Sequence, residues 1–175
     1  MNNIRLAGFL DNSNTNGEGL RSVIFISGCD INCKGCQNKE MQNENYGDLV
    51  NFDDIVERIK SNIDIIDGIT ISGGDPIYNK KTYDMIKYIK SKLPKINIWL
   101  YTGRTYEWIL KEYNNCNFYP YNIFQECDVV VDGPYIEELN NGTVLYRGST
   151  NQRIIDVKET LYRYKLTEYK LEEEI

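Results

Sequence analysis

The chain has 175 residues, a formal net charge of −6 and a pI near 4.8; its lysines are scattered among acids, so it offers no basic footprint for a nucleic-acid partner. It contains no histidine, which excludes Ser-His-Asp and Cys-His catalysis, histidine-bearing zinc sites and imidazole acid–base work. No apolar run reaches the ~20 residues that cross a bilayer, and a hydrophobic fraction of 41% suits one packed domain, residues 1–175, without disulfide staples.

The N-terminus, MNNIRLAGFLDNSNTNGEG, lacks a basic start, an apolar segment and a small-residue cleavage site, so the expected location is cytoplasmic, with no membrane partner. LRSVIFISG, residues 20–28, is rich in β-branched side chains and predicts a buried strand that feeds a loop. NFDDIVERIKSNI spaces Phe52, Ile55, Val56, Ile59 and Ile63 as one helical face, with Asn51 as N-cap and acids in the first turn. DGITISGGDP then reads as strand and turn, KKTYDMIKYIKSKL as helix, KINIWLYTG as strand, TYEWILKEY as helix and CDVVVDGP as a further strand. The charged end, TEYKLEEEI within residues 158–175, reads as a helical tail or a frayed end and carries no assigned chemistry.

Strands alternating with helices predict an α/β fold with a mostly parallel sheet. Each strand ends in polar or glycine-rich residues: SGC, SGGDP, YTGR and VDGPY. Ligands of such folds bind at the C-terminal ends of strands, so these four loops are expected to face one site.

Three of the five cysteines, Cys29, Cys33 and Cys36, lie within eight residues, in SGCDINCKGCQN. An odd number of cysteines, crowded in this way, argues for thiolate ligation over disulfides. Thiolates select zinc or an iron–sulfur cluster. A structural zinc site needs four ligands, which Cys116 or Cys127 could complete; a three-cysteine cubane instead leaves one iron open, the mark of a metal site that does chemistry. Otherwise Cys116 and Cys127 read as small buried hydrophobes. SGGDP by itself is also compatible with an ordinary strand-to-helix turn.

CDINCKGC resembles the Cys-x3-Cys-x2-Cys signature of radical S-adenosylmethionine (SAM) enzymes, and SGGDP their Gly-Gly-acid motif. Together with YTGRTYEWI, DVVVDGPY and YRGSTNQRI, these segments resemble, over residues 4–157, the family of activating proteins of anaerobic (class III) ribonucleoside-triphosphate reductases. The resemblance implies an open, partial β/α barrel with a 4Fe-4S cluster at the strand C-terminal ends, held by Cys29, Cys33 and Cys36. It implies SAM on the fourth iron, near Ser72, Gly73, Gly74 and Asp75, with Thr102, Gly103 and Asp132 lining the pocket. Much of the superfamily has glutamate where this chain has Asp75, and an aromatic residue before the third cysteine where this chain has Gly35; adenine would then meet Gly35 and Gln37. Arg147, Ser149, Asn151, Gln152 and Arg153 are expected at the pocket or at a partner, against the plainer reading of a surface turn. The implied reaction makes a glycyl radical on the anaerobic reductase, with electrons from a low-potential donor such as flavodoxin or ferredoxin. The competing readings are another small radical SAM enzyme, such as a different glycyl-radical activase or a carboxydeazaguanine-type synthase, and a non-enzymatic zinc or iron–sulfur module.

Overall fold

The computed structural model describes residues 2–172. In chain order these form β1 (Asn3–Ser13), β2 (Arg21–Ile26), β3 (Asp48–Asn51), α1 (Phe52–Lys60), β4 (Gly68–Gly73), α2 (Thr82–Lys92), β5 (Ile98–Tyr101), α3 (Tyr106–Asn114), α4 (Tyr119–Glu126), β6 (Val129–Asp132), β7 (Arg153–Asp156) and α5 (Val157–Arg163). The strands build one open sheet in the order β3-β1-β2-β4-β5-β6-β7. Its centre, β2-β4-β5-β6, is parallel, as the alternation of strands and helices predicts. Both margins are antiparallel: β1 pairs with β2 and with β3, and β7 pairs with β6.

The period-2 geometry of strands sends alternate side chains to opposite faces. Ile24 and Ile26, Ile69 and Ile71, Ile98 and Leu100, Val130 and Ile155 join the buried faces of the helices in one apolar layer. The opposite face is more mixed. It carries Arg21, Thr70, Ser72, Trp99, Tyr101, Val129, Val131 and Ile154, and Leu171 closes over its lower part beside Trp99. Helix-forming signals are local and legible. Asn51 accepts from Asp53 N (2.9 Å) to cap α1, Thr105 accepts from Trp108 N (3.2 Å) to cap α3, and Asp156 accepts from Glu159 N (2.9 Å) to cap α5.

Three sequence expectations change. Helix α1 stops at Lys60, so Ile63 leaves the apolar face and stands exposed in the following turn. Of the two solitary cysteines, Cys127 is buried with its thiol toward Ile123 O (3.3 Å), but Cys116 is exposed in the α3–α4 turn in a left-handed conformation (φ 65°) and is no part of a core. The chain's end is neither frayed nor helical over the described residues 165–171: Tyr169 N donates to Ile154 O (2.8 Å) and its hydroxyl to Glu18 (2.7 Å), which lays this segment along β7. Residues 173–175 lie outside the described part. No helix among the described residues is long and apolar enough to cross a membrane.

Candidate metal centre

Strand β2 ends at Ile26 and releases the cysteine loop, whose base is tied down by backbone hydrogen bonds from Gly28 N to Met41 O (2.8 Å) and from Cys29 N to Gln42 O (3.1 Å). Between those ties the loop curls through left-handed residues, Asn32 (φ 53°) and Gly35 (φ 70°), and closes a turn from Cys36 N to Cys33 O (3.3 Å). The x3 spacer docks sideways on the end of β5. A side chain at Gly103 would meet Ile31 Cδ1 at 2.4 Å, and Asp30 pairs with Arg104. Asn38, past the last cysteine, donates to Gly73 O (3.1 Å).

The glycine-rich turn after β4 wedges against the same loop. A Cβ at Gly73 (φ 121°) would lie 2.2 Å from Ile26 O, and one at Gly74 2.4 Å from Gly28 O, so both glycines are demanded by the approach of neighbouring backbone. Gly74 N and Asp75 N donate to Ile26 O (2.9 Å) and Gly28 O (2.8 Å), which fastens the turn to the root of the cysteine loop.

These parts enclose a cavity of about 770 Å³ on the mixed face of the sheet. Cys29, Cys33, Cys36, Gln37, Ser72, Gly73, Gly74, Thr102 and Gly103 all line it, and Gly133 and Tyr135 add the end of β6, so the four strand ends do converge. Gly35, Asp75 and Asp132 do not. Gly35 is exposed beneath the Glu137 carboxylate, which a Cβ would strike at 2.6 Å. Asp75 is fully buried behind the wall: its Oδ1 accepts from Thr102 Oγ1 (2.8 Å) and Ile77 N (3.2 Å), while its Oδ2 has no hydrogen bond and finds only Arg104 Nε at 3.7 Å. Burial pushes the Asp75 carboxyl up to about 6. Asp132 is held from two sides, by Arg153 and by Tyr106 N (2.7 Å).

Arg153 also forks onto Glu107 (2.8 and 2.9 Å) and its hydrogen bonds hold that carboxyl down to about 2. Gln152 donates to Gly133 O (2.9 Å), Asn151 to Pro134 O (2.8 Å), and Ile136 N to Ser149 Oγ (3.2 Å). RGSTNQR is thereby tied to the end of β6 and the turn after it through Ser149, Asn151, Gln152 and Arg153, with Arg147, Gly148 and Gln152 on the cavity wall. Wall residues not singled out in the sequence include Asn14, Thr15 and Asn16 from the β1–β2 loop, Phe25, Tyr101 and Tyr146. Alternation along β2 and β5 would have assigned Phe25 and Tyr101 to this face; the arrival of the β1–β2 loop depends on the fold.

The donor set fits a cluster with three thiolates. The three cysteines are half-buried, form no disulfide and share one cavity wall, with Cys116 and Cys127 outside it. Among the described residues no three metal-capable side chains already stand around one point. Burial pushes the Cys29 thiol above its ordinary range, a cost that a metal offsets by holding the thiolate.

Comparison with known proteins supports an iron–sulfur cluster. The chain carries a 4Fe-4S single cluster domain, whose family model matches residues 15–155. The chain belongs to the family of anaerobic ribonucleoside-triphosphate reductase-activating proteins. It is 33% identical over 144 residues to the protein of that name from Enterobacteria phage T4, covering 79% of this chain and 85% of that protein. It is 34% identical over 160 residues to the Haemophilus influenzae protein (86% and 92% covered) and 32% identical over 143 residues to the Escherichia coli one (78% and 88%).

Proposed function

We propose that this chain activates an anaerobic ribonucleoside-triphosphate reductase by generating a glycyl radical on it, through reductive cleavage of SAM at a 4Fe-4S cluster. The observation that carries the reading is that Cys29, Cys33 and Cys36 line one cavity with the glycine-rich end of β4. When bound, the cluster would supply one low-potential electron and an iron open to SAM, the chemistry that reductive cleavage of SAM and hydrogen abstraction from a glycine Cα require. Cys29, Cys33 and Cys36 would hold the cluster, and the chain adds no fourth ligand because Cys116 and Cys127 lie elsewhere.

The remaining residues bind, orient and exclude water. Ser72, Gly73, Gly74, Thr102 and Gly103 line the wall where SAM would lie, with Gly35 and Gln37 at the loop's outer edge. Asp75, buried behind the wall, would act on SAM through the turn it holds, accepting from Thr102 Oγ1 and Ile77 N, and Asp132 would hold the end of β6 through Arg153 and Tyr106 N. Phe25 and Tyr101 give the wall its apolar part. We read the open sheet as a partial β/α barrel in one cytoplasmic domain, and the electron donor as a flavodoxin or ferredoxin. The cavity's open side leaves the protein substrate to complete the enclosure.

The test is release of 5'-deoxyadenosine by anaerobically reconstituted protein given dithionite and SAM. Wild-type protein is expected to release it and Cys33→Ala to release none; a wild-type preparation that holds iron and sulfide yet releases none would overturn the reading, and stoichiometric zinc would replace it with a structural module.

A further inference from the structure

Arg104 has no part in the functional reading above, yet it touches three elements of the site. Its Nη2 donates to Asp30 Oδ1, inside the spacer between Cys29 and Cys33, and its Nε stands 3.7 Å from the otherwise unpartnered, fully buried Asp75 Oδ2. The guanidinium lies over the Trp108 ring at 4.6 Å, which fixes its plane. Its backbone is fixed as well: Arg104 N donates to Thr102 Oγ1 (3.1 Å), the same hydroxyl that donates to Asp75, and Arg104 O accepts from Gly133 N (3.2 Å). Beside this pair, Ile31 of the same spacer occupies the space that a Cβ on Gly103 would need. The spacer residues Asp30 and Ile31 thus rest as a polar and an apolar foot on Gly103 and Arg104.

We infer that Arg104 is a positioning residue, bridging Asp30 to Asp75 and so setting the cysteine loop against the glycine-rich turn of β4. A planar fork reaches two carboxylates at once, which a lysine point charge does not. The inference concerns the metal-free loop and does not depend on the SAM chemistry proposed above: the reaction could differ and the clamp remain.

The test is the rate at which a small alkylating reagent modifies each cysteine in the full-length, metal-free chain, read by peptide mass spectrometry, with exposed Cys116 as internal reference. Arg104→Met is expected to raise the rates at Cys29 and Cys33 about fivefold, the size that a half-exposed ion pair carries, with Cys116 unchanged. Arg104→Lys is expected to fall between parent and Met. Asp30→Asn, an exposed change that leaves the core intact, is expected to match Arg104→Met, and the double variant to be no faster than either single one. Unchanged rates in Asp30→Asn, or effects of the two substitutions that multiply, would overturn the clamp. A uniform rise that includes Cys116 would do the same, because it reports general loosening.

Discussion

Strands β4 and β6 each bring a left-handed glycine to the wall of the same cavity, Gly73 (φ 121°) and Gly133 (φ 102°), with a buried aspartate beside it but off the wall, Asp75 and Asp132, yet the two carboxylates live in opposite surroundings. Asp132 is saturated: Arg153 takes both oxygens, and Tyr106 N takes one. Asp75 keeps one oxygen without a hydrogen bond, and burial raises its carboxyl to about 6. What separates the two acids is whether a later arginine takes both oxygens, as Arg153 does at Asp132, or only approaches one, as Arg104 does at Asp75. The glycines differ too. Gly73 is pressed against the backbone of β2, whereas a Cβ on Gly133 would find its nearest neighbour at 3.8 Å.

The sharpest way to break the comparison is at the glycines. Gly73→Ala puts a methyl 2.2 Å from Ile26 O in a strained φ and is expected to cost more than about 4 kcal/mol, enough to prevent normal folding. Gly133→Ala meets only the conformational penalty, about 1–2 kcal/mol; urea unfolding midpoints of the two variants measure the difference.

Arg153→Met tests the acid at β6. It strands Asp132, only 1% exposed, without its counter-ion and is expected to destabilise by roughly 3 kcal/mol, with much of the loss recovered in the double variant with Asp132→Asn. Equal costs in single and double variants would show that Arg153 acts by packing alone.

Asp75 predicts a pH signature in the metal-free chain. The folded carboxyl keeps its proton up to about 6, against an ordinary value of 3.8, so between those values the native state binds more protons than the unfolded state. Stability therefore falls as pH rises through that window, by up to roughly 3 kcal/mol. Asp75→Asn should flatten this fall relative to the parent in unfolding series from pH 4 to pH 7. The smallest effect belongs to Cys116→Ala: the side chain is exposed and off the cavity, so stability should change by less than about 0.5 kcal/mol and bound iron not at all.

Local patterns carried the central strands, helices α1 to α3 and the three-cysteine loop into legibility, because spacing alone defines them. The antiparallel margins had weaker marks. Strand β1 buries Ile4 and Leu6 in alternation and then runs out to exposed polar residues, while β7 is four residues long. Helix α4 opens with Pro120 among aromatics and reads as loop until its packing on α2 and α3 is seen. At the site, Asp132 could be singled out by its strand-end position, but its engagement rests on Arg153, twenty-one residues on. The polar wall from Asn14 to Asn16 is likewise a product of topology, since antiparallel β1 returns its loop to the sheet's mixed face.

The most direct test of the central claim is an EPR spectrum of the cognate anaerobic reductase after anoxic mixing with the reduced, cluster-loaded protein and SAM. A glycyl radical signal that requires SAM and is absent with Cys33→Ala is the predicted result. A cluster-loaded protein that binds its reductase and cleaves SAM but leaves the reductase without a radical would contradict it.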